Sequence, residues 1–242
     1  MKMDLTAERG WCDGISRVGR WVLACSILLL MVSQAASAQK SVTAQSMERQ
    51  GMVDVTTLDS TIHVSLMYAR PDNFTGKVLY ADLREALLHP RAARALCEAQ
   101  RLLKKRRPDL SLKIYDATRP MSVQAQMWQV VVGTPQQNYV SNPRNGGGLH
   151  NYGMAVDVTL CDAQSGDTLE MGTKGDHLGV ESHIDRESEL VSRHVISREA
   201  LDHRLLLRSV MKEAGFMPLR TEWWHFNLIT RAQARAQYKP VR

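Results

Sequence analysis

Gly148-Leu149-His150-Asn151-Tyr152-Gly153-Met154-Ala155-Val156-Asp157-Val158-Thr159-Leu160-Cys161 changes character halfway along. Its first half follows the triple glycine 146–148 and shows no apolar period. Its second half, from Met154 to Cys161, is aliphatic and β-branched and reads as a strand. A carboxylate sits inside that strand, with Asp157 between Val156 and Val158. A buried carboxylate must be paired or bind a metal. Taken alone, a hydrogen-bonded core Asp is the commoner outcome. His150 lies just upstream, at the end of a flexible glycine loop, so a second polar group is close to the same strand.

Upstream of this stretch, residues 61–68 alternate, with Ile62, Val64, Leu66 and Tyr68 on one face, and read as a strand. Residues 70–77 read as a loop and 82–88 as a helix. Pro90 opens a second helix at its first turn, where a missing N–H is harmless. Ala93, Leu96, Cys97, Gln100 and Leu103 share one face of it, and Pro108 ends it. Residues 110–117 read as a strand, and Ser122 can cap a helix running to Val132. Downstream, 187–194 and 199–214 read as helices, with Ser197 as N-cap and Gly215 closing the second. Residues 223–229 form a last strand. Strands and helices mix without a regular βαβ beat, which defines an α+β class in a single domain over 54–242, after a flexible lead-in over 39–53.

The whole chain has 242 residues, 44% of them hydrophobic and 23% charged, which excludes a disordered protein. The net charge of +6 is dispersed. The densest basic run, Lys104 to Arg107, reads as a helix C-terminus favoured by its dipole, so no nucleic-acid partner is expected. Residues 1–38 carry Lys2, Arg9, Arg17 and Arg20, then the apolar run Trp21 to Val32, then Ala36-Ser37-Ala38. That is the form of a secretory signal peptide cleaved after Ala38, and the product is expected to be exported, periplasmic or secreted. The apolar run is well short of the roughly 20 residues a membrane-spanning helix needs. Cys25 stands inside the run with Ile27 to Val32 still to come, which argues against a lipoprotein site. Cys97 and Cys161 then remain, and an exported compartment permits a disulfide between them.

Two other places concentrate unusual residues. In Glu222-Trp223-Trp224-His225-Phe226, a histidine follows a carboxylate by three positions near the start of a strand. A satisfied core histidine beside packing tryptophans is the plainer reading. In Asp116-Ala117-Thr118-Arg119-Pro120, an Arg fixed by proline after a strand can point into a cleft or simply pair with Asp116. Taken together, two His and one Asp make a reasonable zinc set with one coordination position open. The nearby Glu is then a base for a metal-activated water.

These segments resemble the motifs of the D-alanyl-D-alanine dipeptidases, a family of zinc peptidases. Gly148 to Asp157 is similar to their Ser-x-His-x-x-Gly-x-Ala-x-Asp motif, and Glu222-Trp-Trp-His225 to their second motif. Asp116-x-x-Arg119-Pro120 resembles their arginine motif, Met171-Gly-Thr-Lys-Gly-Asp176 their Met-Gly-Thr-x-Phe-Asp segment, and Asn73 to Gly76 also has a counterpart. The likeness runs in order from about 54 to 229. It implies one Zn2+ per chain on His150, Asp157 and His225, Glu222 as general base, Arg119 as stabiliser of the oxyanion and Asp176 against the free amine. It implies a central antiparallel sheet with helices packed on it, the zinc fold of D,D-peptidases and Hedgehog-like domains. The implied activity is hydrolysis of the small D-alanyl-D-alanine dipeptide in cell-wall peptide metabolism. The alternatives are a D,D- or L,D-carboxypeptidase acting on longer stem peptides, and a non-catalytic zinc-containing module that binds cell-wall peptides. Two positions depart from the motifs, Gly148 for Ser and Gly175 for Phe, and both are expected to enlarge the site.

Overall fold

The computed structural model describes residues 40–242, so the signal peptide expected over 1–38 lies outside the described residues. Its centre is a pair of long strands, β4 (Leu110–Asp116) and β5 (Ala155–Asp162), whose residues are buried almost throughout. Around them β2 (His63–Val64), β6 (Met217–Leu219) and β7 (Glu222–Asn227) complete a five-stranded sheet in the order β2-β4-β5-β7-β6. Every pairing from β4 to β6 is antiparallel, and β2 joins the β4 edge in parallel. The elements are those of an α+β fold in a single domain.

Helices α2 (Pro90–Arg106) and α5 (Arg198–Glu213) pack against each other and against the sheet. Leu96, Ala99 and Leu103 of α2 and Leu207, Val210 and Met211 of α5 are fully buried there. Burying one such large side chain contributes about 1.5–3 kcal/mol. Pro90 occupies the first turn of α2 and Lys104, Lys105 and Arg106 its last, as the sequence indicates. Buried Gln100 is satisfied, donating to Ser111 Oγ (2.8 Å) and accepting from the Leu112 N–H (2.9 Å). Ser197 caps α5 by accepting from the Ala200 N–H. Among the described residues no helix is long and apolar enough to cross a membrane. Cys97 and Cys161 are separate free thiols, and burial pushes Cys161 up to about 11.

Three local expectations are corrected. The lead-in contains a helix, α1 (Val42–Arg49), capped by Ser41. The segment 82–88 is not helical: Leu87–Leu88 is β3, paired with β1 (Val53–Asp54). The reason is tertiary. Asp82 accepts from Thr43, Glu85 accepts from Ser41, and the Leu87 carbonyl accepts the Thr118 N–H. A free helix of that sequence would forfeit all of these, and Pro90 already disfavours helical geometry at His89. The expected strand over 61–68 ends at Val64, and Met67–Ala69 is a 3-10 turn that leaves Tyr68 buried.

One irregularity matters for function. Opposite β5, the register of β4 shifts between Ile114 and Asp116, so that Asp116 faces Asp157. A bulge of this kind re-aims a side chain. It brings the carboxylate of Asp116, and the Arg119 that follows, toward Asp157.

Candidate active site

Asp157 on β5 and His225 on β7 are direct cross-strand partners. His225 Nδ1 lies 2.9 Å from Asp157 Oδ1. The third residue, His150, comes from the 3-10 turn Leu149–Tyr152, which runs into β5 through Gly153 at φ 64°. Its Nε2 is 3.1 Å from His225 Nδ1 and 3.3 Å from Asp157 Oδ1. One donor atom of each residue lies within 4.8 Å of the others, and all three side chains are buried.

The outward ring nitrogens decide what this cluster can hold. His150 Nδ1 donates to the Ala117 carbonyl at 2.6 Å, and His225 Nε2 donates to Asn227 Oδ1 at 2.8 Å. With its outer nitrogen so engaged, each ring, when neutral, turns a lone pair inward, toward the other ring and an ionised carboxylate. Three lone pairs around one point repel unless a cation lies among them. This outer fixing of the imidazole tautomer is what metal-binding histidines show, and the donor set fits zinc. The same demand for positive charge appears in the titration. Burial opposes charge on His150, yet Asp157 and Asp116 together raise its pKa. Burial likewise opposes ionisation of Asp157, but the two imidazoles hold its pKa below the usual carboxylate range.

The cavity beside this cluster has a volume of about 320 Å3, and Glu222, Arg119 and Asp176 all line it. Burial pushes the Glu222 carboxyl up to about 7; His225 works against that shift, while Asp157 and Asp176 reinforce it. A carboxyl titrating there can take up and release a proton at neutral pH. Arg119 is buried and donates twice to Asp116 Oδ2 (3.1 and 2.6 Å) and once to Gln124 Oε1 (3.0 Å). Its guanidinium lies over the Tyr68 ring at 5.1 Å. The pairing with Asp116 and the position in the cleft thus both hold. Of the five N–H groups a guanidinium carries, two are left for a ligand. Burial also pushes Asp176 up to about 7, against the Phe74 N–H and the Tyr68 hydroxyl, which donate to it at 2.8 Å each. Asp176 has φ 71°, a strained setting for a non-glycine residue.

The two glycine departures do not open the site as expected. A Cβ on Gly148 would lie 3.0 Å from Ser141 Oγ, so a hydroxyl from another loop already fills that place. A Cβ on Gly175 would lie 2.9 Å from the Tyr115 ring, which lines a separate cavity of about 430 Å3 with Gly175 and Trp223. Tyr68, Gln124, Ser141, Asn227 and Arg231 also line the main cavity and were not foreseen. Asn227 had a signal, since it stands two residues after His225 on a strand and so shares its face. Ser141 and Arg231, 90 positions apart, had none.

Three convergent donors, a carboxyl titrating near neutrality and a buried guanidinium in one cleft are the parts of a metal-assisted hydrolase. The profile of the family described as D-ala-D-ala dipeptidase matches residues 48–241, and this chain belongs to that family and is a peptidase. It is 36% identical over 177 residues to the D-alanyl-D-alanine dipeptidase of Escherichia coli (strain K12), covering 73% of this chain and 84% of the relative. It is 31% identical over 190 residues to that of Streptomyces coelicolor, covering 71% and 88% respectively. For the Enterococcus faecalis enzyme of the same name the identity is 27% over 182 residues, covering 67% and 83%.

Proposed function

We propose that this peptidase is a zinc enzyme that hydrolyses the D-alanyl-D-alanine dipeptide. The observation that carries the reading is the convergence of one potential ligand atom each from His150, Asp157 and His225, with the outer ring nitrogens already engaged, beside Glu222. Those three residues would hold zinc, which when bound supplies Lewis-acid polarisation and makes a water easier to deprotonate. Glu222 accepts the proton of the attacking water and passes it to the leaving amine, as its pKa near 7 permits. Arg119 directs its two remaining N–H groups at the carbonyl oxygen as negative charge develops there. Asp116 and Gln124 keep that guanidinium in place, so little reorganisation is needed. Asp176 pairs with the ammonium of the dipeptide, and that charge favours its ionised form.

The basic and then apolar N-terminal sequence supports export and a place in cell-wall peptide turnover. N-terminal sequencing of the protein recovered from an exported fraction tests the first of these. The central test is metal analysis of the purified protein together with an assay on D-alanyl-D-alanine. One zinc per chain and release of free D-alanine are expected. Zinc without hydrolysis would favour a binding module, and absence of metal from an active enzyme would overturn the ligand set.

A further inference from the structure

The charged side chains lining the main cavity, apart from the histidines, are Asp157, Asp176, Glu222, Arg119 and Arg231. Arg119 is neutralised by Asp116 at 2.6 Å. Arg231 makes no ion pair among the described residues, and its guanidinium donates to Ser141 Oγ at 2.9 Å. That leaves a cation without a carboxylate in a cavity that is otherwise acidic. Ser141, in accepting from Arg231, keeps its own O–H proton free to donate. Its backbone is held by Gln124, whose Nε2 donates to the Ser141 carbonyl at 2.8 Å while its Oε1 accepts from Arg119 at 3.0 Å. One glutamine thus ties the Ser141–Arg231 pair to the guanidinium assigned to the reacting carbonyl. Gly148, also lining the cavity, leaves the space that the Ser141 hydroxyl occupies.

We propose that Arg231 and Ser141 bind the free C-terminal carboxylate of the substrate, an inference that rests on the dipeptidase reading above. A peptide cut at its last bond carries a carboxylate one residue beyond the reacting carbonyl. That carboxylate, once out of water, needs a fixed cation and a neutral donor. The guanidinium supplies a planar fork and the serine a hydroxyl. With Asp176 facing the amine, the cavity recognises both ends of a zwitterion, and a peptide of two residues satisfies both at once. Length selection thus lies in a pair of charged contacts rather than in bulk at Gly148 or Gly175.

The test compares D-alanyl-D-alanine with its C-terminal amide on the zinc-loaded wild type and four variants. Wild type should prefer the acid strongly. Arg231→Gln should raise KM for the acid about 10- to 100-fold, change kcat less, and leave the amide nearly unaffected. Arg231→Lys should recover part of the loss. Ser141→Ala should weaken the acid preference, and adding Gly148→Ser should restore it, because the new side chain reaches the vacated place. Melting temperatures close to wild type are expected, since Arg231 is exposed. If wild type cleaves the dipeptide but acid and amide fall equally in Arg231→Gln, the inference is overturned and the dipeptidase reading stands. If wild type cleaves neither, that reading fails and the inference falls with it.

Discussion

Glu222 and Asp176 are carboxyls that the cavity keeps from ionising freely, each pushed up to about 7 chiefly by burial. In the unfolded chain both ionise near pH 4. Between about pH 4 and pH 7 the metal-free folded protein therefore holds protons that the unfolded chain has released. Its stability should fall as pH rises through that window, with the full penalty present above it. Asp176→Asn removes one of these titrations, so its effect on the melting temperature should be more favourable at pH 8 than at pH 5 by several degrees. Identical shifts at the two pH values would show that Asp176 is not held neutral. For Glu222→Gln, zinc content should stay at one per chain while kcat drops about 10²–10⁴-fold, because an amide cannot take the proton from water. Near-normal turnover by the zinc-loaded variant would remove Glu222 from the mechanism. Arg119→Lys should lower the rate by roughly 10²–10³-fold with zinc retained, since a point charge cannot keep Asp116 and Gln124 while directing two donors at the oxyanion.

At the scale of elements, the turn carrying His150 depends on Gly153. A Cβ there would lie 2.7 Å from the His89 backbone nitrogen, 2.6 Å from Met52 Sδ and 2.9 Å from Thr118 Oγ1, and φ is already 64°. Gly153→Ala should destabilise the fold by roughly 2–5 kcal/mol, from left-handed strain and overpacking together, and should weaken metal binding in parallel. Equilibrium denaturation and a metal titration check the two effects. The strands and helices that set the core were legible because their residues are buried on continuous or periodic faces: β5, α2 and α5 follow their apolar patterns. The segment 82–88 was not, since its helical composition is overruled by hydrogen bonds to residues some 40 positions away. His150, Asp157, His225 and Glu222 stood out because they are chemically unusual within their segments. Ser141 sits in an irregular loop and Arg231 on an exposed helix start, where polar residues are ordinary, so only the folded chain shows them facing one another.

For the molecule as a whole, the three candidate metal donors come from a turn and two strands, so binding an ion would join segments distant in sequence. Adding a chelator to the holoprotein should lower its melting temperature. The loss corresponds to about 2.7 kcal/mol where free metal had stood at 100 times its Kd. The His225→Ala protein should show little such shift, and an equal one would place the ion elsewhere. Substrate length is the other property of the whole cavity. N-acetyl-D-alanyl-D-alanine, which cannot present an ammonium to Asp176, should have a kcat/KM far below that of the free dipeptide. A stem pentapeptide ending in D-alanyl-D-alanine should be poorer still, and cleavage of it as efficient as that of the dipeptide would make this enzyme a carboxypeptidase.

Asp157 and His225 occupy facing rungs of one antiparallel ladder, whereas His150 rides on a turn whose carbonyl accepts the Arg119 N–H at 3.1 Å. The cluster is a caliper with one fixed jaw and one sliding jaw. The gap across the ladder is set by peptide hydrogen bonds, so an ion of larger radius would be accommodated at the turn, while Asp116 and Gln124 keep the guanidinium where it is. Ionic radius would thereby change the distance between the ion and the Arg119 guanidinium. Cadmium should bind in place of zinc yet leave the carbonyl oxygen poorly held, with kcat reduced far more than metal affinity.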